Sequence, residues 1–190
     1  QRVKSVIKDP LARGADRAIH VVGDNLAHLS PFAAATVLAD AIRDENPDLV
    51  MTGLQSDDHG YGQTGVIMAE LLGLPHATIV IELNAEADRL RVKRELESGW
   101  YQWYDMPLPA LLTIQSGISQ IRYATLKGIM AAKKKEIRKV APSGAATPAQ
   151  RILSVSFPEK GKKTQMLSGS PGEAAKALVQ KLRDEVRVIQ

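Results

Sequence analysis

The sequence predicts an α/β protein: a Rossmann-like parallel sheet flanked by helices, with an antiparallel excursion and a C-terminal arm. Three observations predict it. Between residues 18 and 81, short apolar runs alternate with segments of helical period, the βαβ order that builds parallel sheets. Between residues 89 and 114, strand-like runs follow one another with turn signals and no helix between them. Residues 140–150, with Pro142, Gly144 and Pro148 among small residues, then separate this body from a last amphipathic segment.

Taken in order, Gln1 to Ala12 has a helical pattern interrupted by Pro10 and runs through Gly14 into the strand Ala18–Val22. An α/β chain normally opens on a strand and there is no initiator Met, so residues are expected to precede Gln1. Ser30 is a helix N-cap with Pro31 in the first turn, and Ala33 to Asp44 repeats apolar residues at helical spacing until Asn46-Pro47. Residues 48–53 form a buried strand, and Val66 to Leu74 a helix that Gly73 closes and Pro75 stops. Ala77 to Ile81 is the next strand. Arg89 to Glu95, Gly99 to Tyr104 and Ala110 to Ile114 make the antiparallel excursion, with turns at 84–88 and 98–99. Residues 122–135 read as a loop and short helix ending in Lys133-Lys134-Lys135, where lysines complement the helix dipole. Residues 140–150 are a linker, Arg151 to Phe157 a further strand, and Pro171 to Val188 a helix with Ala174, Ala177, Leu178, Leu182 and Val186 near one face. The organisation is therefore a domain over 1–139 and a linker with arm and helix over 140–190.

Composition narrows the class. The 190 residues suit one or at most two domains, and 44% apolar with 24% charged residues is a globular balance. With no cysteine there is neither a disulfide framework nor a thiolate metal site. No apolar run approaches the ~20 residues of a membrane helix, so the chain is not expected to be membrane-embedded. The net charge of +4 is concentrated in residues 133–135 and 160–163, which suits acidic partners or simply a solvated surface.

Chemistry concentrates in Gly60-Tyr61-Gly62-Gln63-Thr64-Gly65, which follows Gln55-Ser56-Asp57-Asp58-His59 and opens a helix. Glycines let the backbone turn through φ > 0 and approach a phosphate, and the first amides of the helix offer unpaired hydrogens to an anion. Thr64 adds a hydroxyl donor. The spacing matches the dinucleotide fingerprint, with Glu82 in the place of a ribose-binding acid. Against that, six residues separate Gly53 from the first glycine of the loop, which therefore does not turn directly out of the strand, and Asp57 and Asp58 would repel a pyrophosphate. The residues alone leave three readings open: a nicotinamide cofactor, another nucleotide, or a glycine turn without ligand. His20, His28, His59 and His76 lack metal-ligand spacing, and Ser56, Ser98 and Ser116 lack the setting of a nucleophile. Trp100, Tyr101, Trp103 and Tyr104 are expected in core or interface packing, with stacking on a flavin as the lesser alternative, Tyr101 and Trp103 sharing one strand face; nucleic-acid binding is not expected, because lysines and aromatics lie far apart.

Two stretches carry a family likeness. Val92-Lys93-Arg94-Glu95-Leu96-Glu97-Ser98-Gly99-Trp100-Tyr101-Gln102, continuing to Pro109-Ala110-Leu111-Leu112-Thr113, resembles the signature of electron transfer flavoprotein β subunits. Arg122-Tyr123-Ala124-Thr125-Leu126, with Ile129, Met130 and Lys133 to Lys135, resembles that family's loop-and-lysine segment. The likeness extends from about Leu11 to Lys139. It implies a heterodimer whose α subunit holds the redox-active FAD while this chain holds a structural AMP, or a second FAD in electron-bifurcating members. It maps nucleotide contacts onto Asp58, Gly60, Gly62, Gln63, Thr64 and Gly65, with Gln63 and Thr64 at the phosphate. Gly62 stands where Asn is common, and Ser98 and Tyr104 also depart from the family's usual residues. Bifurcating members commonly show Val-Gly-Pro where this chain has Thr64-Gly65-Val66, which favours AMP. The likeness further implies that Arg122, Tyr123, Ala124, Thr125, Leu126, Ile129 and Met130 form a recognition surface for acyl-CoA or other dehydrogenases, Leu126 entering an apolar pocket of the partner. Electrons would pass to a quinone-linked oxidoreductase, in the cytoplasm of a prokaryote or a mitochondrial matrix. It assigns no catalytic residue: the chain would be an electron-carrier subunit of fatty-acid oxidation rather than a substrate-transforming enzyme.

Overall fold

The computed structural model describes residues 2–24, 26, 29–142, 152–157, 161 and 164–189, in two units, Gln1–Arg151 and Ile152–Gln190. Most of the expected linker, much of the second lysine run and His28 lie outside the described residues.

In the first unit, α1 (Arg2–Ala12) carries Pro10 inside its last turn and is not interrupted by it. The strand β1 (Ala18–Val21) leads to α2 (Pro31–Arg43), whose N-cap Ser30 accepts a hydrogen bond from the Ala33 amide. The strand β2 (Leu49–Gly53) precedes α3 (Thr64–Leu72), closed by Gly73 in the left-handed conformation (φ 67°). Then come β3 (His76–Ala85), β4 (Arg89–Glu95), β5 (Tyr101–Pro107) and β6 (Ala110–Ile114), followed by α4 (Leu126–Ala132) and β7 (Ile137–Val140).

The parallel pairings fall in two sheets. One is β1 with β7; the other has the order β2-β6-β3-β4-β5. The expected excursion shrinks to β4 and β5, because β6 is not antiparallel: it lies between β2 and β3 and runs parallel to both. Its residues show why. Ala110-Leu111-Leu112-Thr113 is an unbroken buried run, the pattern of a strand covered on both faces. Leu111 packs with Ala35, Met68 and Ala69 on the helix side; Ala110 and Leu112 pack with Ala77, Val80, Leu90, Val92 and Met106 on the other.

Only Leu108 and Pro109 separate the edge strand β5 from the interior strand β6, a reach of about 10 Å. The sheet must therefore fold over itself. It does so in β3, where the register shifts on both neighbours around Val80 and Ile79 sits at φ 56°. Positive φ is unusual for a β-branched residue, and the Ile79 amide is compensated by the buried Thr113 Oγ1 at 3.2 Å.

Beyond the end of α2, Glu45 accepts from Arg17 (2.6 Å) and pairs with Arg138 of β7, tying the helix exit to the β1–β7 sheet. The Arg17 hydrogen bond holds the Glu45 carboxyl below its ordinary pKa. A folded-state pKa below the unfolded one stabilises above the unfolded value and ceases to do so as pH falls through the folded one. The stability difference between wild type and Glu45→Gln, read from denaturation midpoints, should therefore be present near neutral pH and shrink below about pH 4.3.

In the second unit, residues 152–157 carry no regular structure, where a strand was expected. Ile152, Leu153, Val155 and Phe157 are all exposed, so the apolar alternation finds nothing to pair with among the described residues. The helix α5 (Pro171–Asp184) stops short of Val188 and starts with a full capping box: the Glu173 amide donates to Ser170 Oγ, and Glu173 accepts from the Ser170 amide at 2.8 Å. Among the described residues no helix is long and apolar enough to cross a membrane.

Candidate functional site

The glycine loop joins β2 to α3 at the carboxyl end of a parallel strand, where α/β folds place ligands. Gly60 (φ 64°) and Gly62 (φ 61°) take left-handed conformations that ordinary side chains resist. Gln63 is the N-cap of α3, and its side chain makes no capping hydrogen bond. Its leading amides thus keep the partial positive charge of a helix start.

Gly65 fixes where that helix start lies. A Cβ there would be driven into Thr52 Oγ1 of β2 and would come within 2.8 Å of Thr113 Cγ2 of β6. Only glycine lets α3 rest so closely on the two strands. Thr52 Oγ1, buried under it, has no hydrogen-bond partner among the described residues.

Above this contact is a cleft of about 430 Å³. Leu29, Pro31, Ala34 and Leu38 give it an apolar wall at the start of α2; Gln55, Ser56, His59, Gln63 and Thr64 line it with polar groups. An apolar wall facing an uncapped helix start is the division of labour a nucleotide needs, base or sugar against the wall and phosphate at the amides. The cradle left by Gly65 and the uncapped amides fit such a group.

Of the six residues expected to bind nucleotide, Gly62, Gln63, Thr64 and Gly65 line the cleft; Asp58 and Gly60 do not. Asp58 is exposed and occupied locally: its Oδ1 accepts from the His59 amide at 2.9 Å. Hydrogen bonding from Ser56, then from that amide, lowers its pKa. Neither Asp58 nor Asp57 lines the cleft. Glu82 lies within β3 rather than at its end, opposite Lys93, and does not line the cleft, so the dinucleotide reading loses its ribose acid. The sequence reading missed the α2 wall and the ring pair His59–Tyr61, stacked with centroids 5.8 Å apart.

The second cluster lies on residues 121–130. Arg122 to Thr125 form an open segment, and Thr125 caps α4 by accepting from the Gly128 amide at 3.0 Å. Leu126, Ile129 and Met130 follow at i, i+3 and i+4, one helix face, and all are exposed. Leu126 is 77% and Tyr123 80% exposed, so Leu126 is not packed under its own helix.

Two other expectations change. Trp100, Tyr101 and Trp103 are exposed, which removes the core and keeps an interface among their expected roles; Lys93 Nζ lies 4.5 Å from the Tyr101 ring centroid and Arg91 5.4 Å from that of Trp103. Lys135 does not join Lys133 and Lys134 outside, since its ammonium donates to the carbonyls of Leu11 (3.0 Å) and Ala15 (2.6 Å). The dipole it complements is that of α1. No group of three or more His, Asp or Glu side chains suited to a metal occurs among the described residues.

Fold and cleft define an α/β domain with an uncapped helix start at the carboxyl end of a parallel strand. The electron transfer flavoprotein domain model matches residues 1–145. The electron transfer flavoprotein subunit beta of Methylophilus methylotrophus is 36% identical over 190 residues, spanning 94% of this chain and 72% of that protein. The human subunit beta is 35% identical, spanning 97% and 72%, and the mitochondrial one of Oryza sativa subsp. japonica 35%, spanning 96% and 72%. The chain belongs to the electron transfer flavoprotein family, among its β subunits.

Proposed function

We propose that this chain is the β subunit of a heterodimeric electron carrier, paired with an α subunit that holds the redox-active FAD, and that it binds AMP structurally. The observation that carries the nucleotide reading is the uncapped start of α3, set down on β2 and β6 by Gly65 beneath the cleft. The Thr64 hydroxyl, the amides of the first turn and the Gln63 side chain would hold a phosphate; the α2 wall would take the adenosine. A volume of about 430 Å³ is near the lower end of small-molecule sites and suits a mononucleotide better than FAD.

When bound in the heterodimer, FAD supplies the one- and two-electron chemistry. This chain's part is to buttress the complex and present the face of Tyr123, Leu126, Ile129 and Met130 to an electron donor, an acyl-CoA dehydrogenase in this reading. Lys133 and Lys134 beside it would steer an acidic partner. Electrons would leave to a quinone-linked oxidoreductase. Residues 140–190 would act as the arm that holds the α subunit, which would cover the exposed Leu153, Val155 and Phe157.

The test is to co-express the full-length protein with its α partner, denature the purified complex and quantify the released nucleotides. One FAD and one AMP per heterodimer is the expected result. Two FAD would replace AMP by a second flavin and bifurcation, and FAD alone would leave the glycine loop as structure.

A further inference from the structure

We propose that the carbonyl end of α1 is the seat of the docking element, with Lys135 and Arg13 as positioning residues that hold residues 122–132 ready for a partner. The inference rests on the docking role proposed above. A helix of seven residues such as α4 is far too short to persist alone, since isolated helices need about 12–15 residues even in favourable sequences. Something must hold it, and three contacts do so at its beginning, middle and end.

At the beginning, Arg13 makes a two-pronged pair with Asp9 (Nε to Oδ1 3.1 Å, Nη2 to Oδ2 2.9 Å) and donates its remaining Nη1 to the Arg122 carbonyl at 3.0 Å. The planar guanidinium, fixed by the carboxylate, aims the third bond. In the middle, Gly128 lies directly on the Ala12 carbonyl: a Cβ there would overlap its oxygen and lie 3.3 Å from its carbon. At the end, Lys135 caps α1 by donating to Leu11 and Ala15. It thereby satisfies the Leu11 carbonyl, which the helix end leaves unpaired at the negative pole of the α1 dipole, and ties it to Ala15 just beyond the helix.

The inward side of the segment is thus spent on α1, and Ala132 is buried. The outward side is the face of Tyr123, Leu126, Ile129 and Met130. A face ordered before the encounter spares the complex the entropy of ordering it afterwards. Lys135 therefore belongs to recognition without touching the partner.

The experiment uses the full-length heterodimer with Lys135→Met, Lys135→Arg and Leu126→Ala. Amide hydrogen exchange over 122–132 is read beside the kinetics of reduction by a reduced acyl-CoA dehydrogenase. Lys135→Met should speed exchange there by roughly tenfold, the scale of lost charged hydrogen bonds, and raise the KM for the dehydrogenase while the rate at saturation is kept. Lys135→Arg should restore both. Unchanged exchange in Lys135→Met overturns the seat, and so does faster exchange with an unchanged KM when Leu126→Ala does raise it. If Leu126→Ala leaves the kinetics untouched while Lys135→Met still loosens the segment, it is the docking reading that falls.

Discussion

Gly65→Ala should strip the heterodimer of the nucleotide proposed for this chain and destabilise it by about 1–3 kcal/mol, the range for overpacking a well-packed contact. The added methyl meets the hydroxyl of Thr52 and the Thr113 methyl at 2.8 Å. Neither is the free end of a long side chain. Both are short branched groups on strands of the parallel sheet, and Thr113 is held by the Ile79 amide at 3.2 Å. The start of α3 has to lift, and with it the amides that face the cleft. Nucleotide content after denaturation and the thermal midpoint check the two halves separately. Adding Thr52→Ala should recover part of the stability, because it removes the nearest clashing atom, and a hydroxyl that is buried without a partner contributes little to be lost. Full nucleotide content and an unchanged midpoint in Gly65→Ala would show that the helix does not depend on this contact.

Local signals were legible wherever one residue type does one job. Ser30-Pro31 marked the start of α2, Gly73-Leu74-Pro75 the end of α3, and Ser98-Gly99 the turn before β5. What escaped depends on contacts far apart in the chain. β6 directly follows β5, so sequence order suggested another antiparallel strand; only the folding of β3 at Ile79 brings its start between β2 and β3. β7 is four residues with two exposed charges, Arg138 and Lys139, and acquires strand geometry by pairing with β1. At the cleft, the helix start and its glycines were readable from spacing, whereas the α2 wall lies more than twenty residues upstream. Asp58 and Gly60 belong to the same loop as the lining residues, and nothing in the spacing separates them from their neighbours. Lys135 is the plainest case: in sequence it is the third of three equal lysines, and in space it alone meets the end of α1.

Leu126→Ala should lower the apparent affinity for an acyl-CoA dehydrogenase by roughly five- to thirtyfold, a loss of about 1–2 kcal/mol for a truncated interface anchor, while the heterodimer and its FAD are unaffected. The argument turns on exposure. At 77% exposure Leu126 makes little contact within its own chain, and alanine is at least as good a helix former at that position. Folding therefore has almost nothing to lose, and any effect must come from what the side chain touches in a complex. Leu126→Met, which keeps the volume and apolar character, should retain most of the transfer rate, whereas Leu126→Asp should abolish docking by bringing a charge into an apolar pocket. Stopped-flow reduction of the flavin as a function of dehydrogenase concentration separates affinity from intrinsic transfer. A wild-type concentration dependence in all three variants would remove Leu126 from the interface. A graded loss from Met through Ala to Asp, at constant saturating rate in the first two, identifies it as an apolar anchor that acts in the encounter and not in the transfer step.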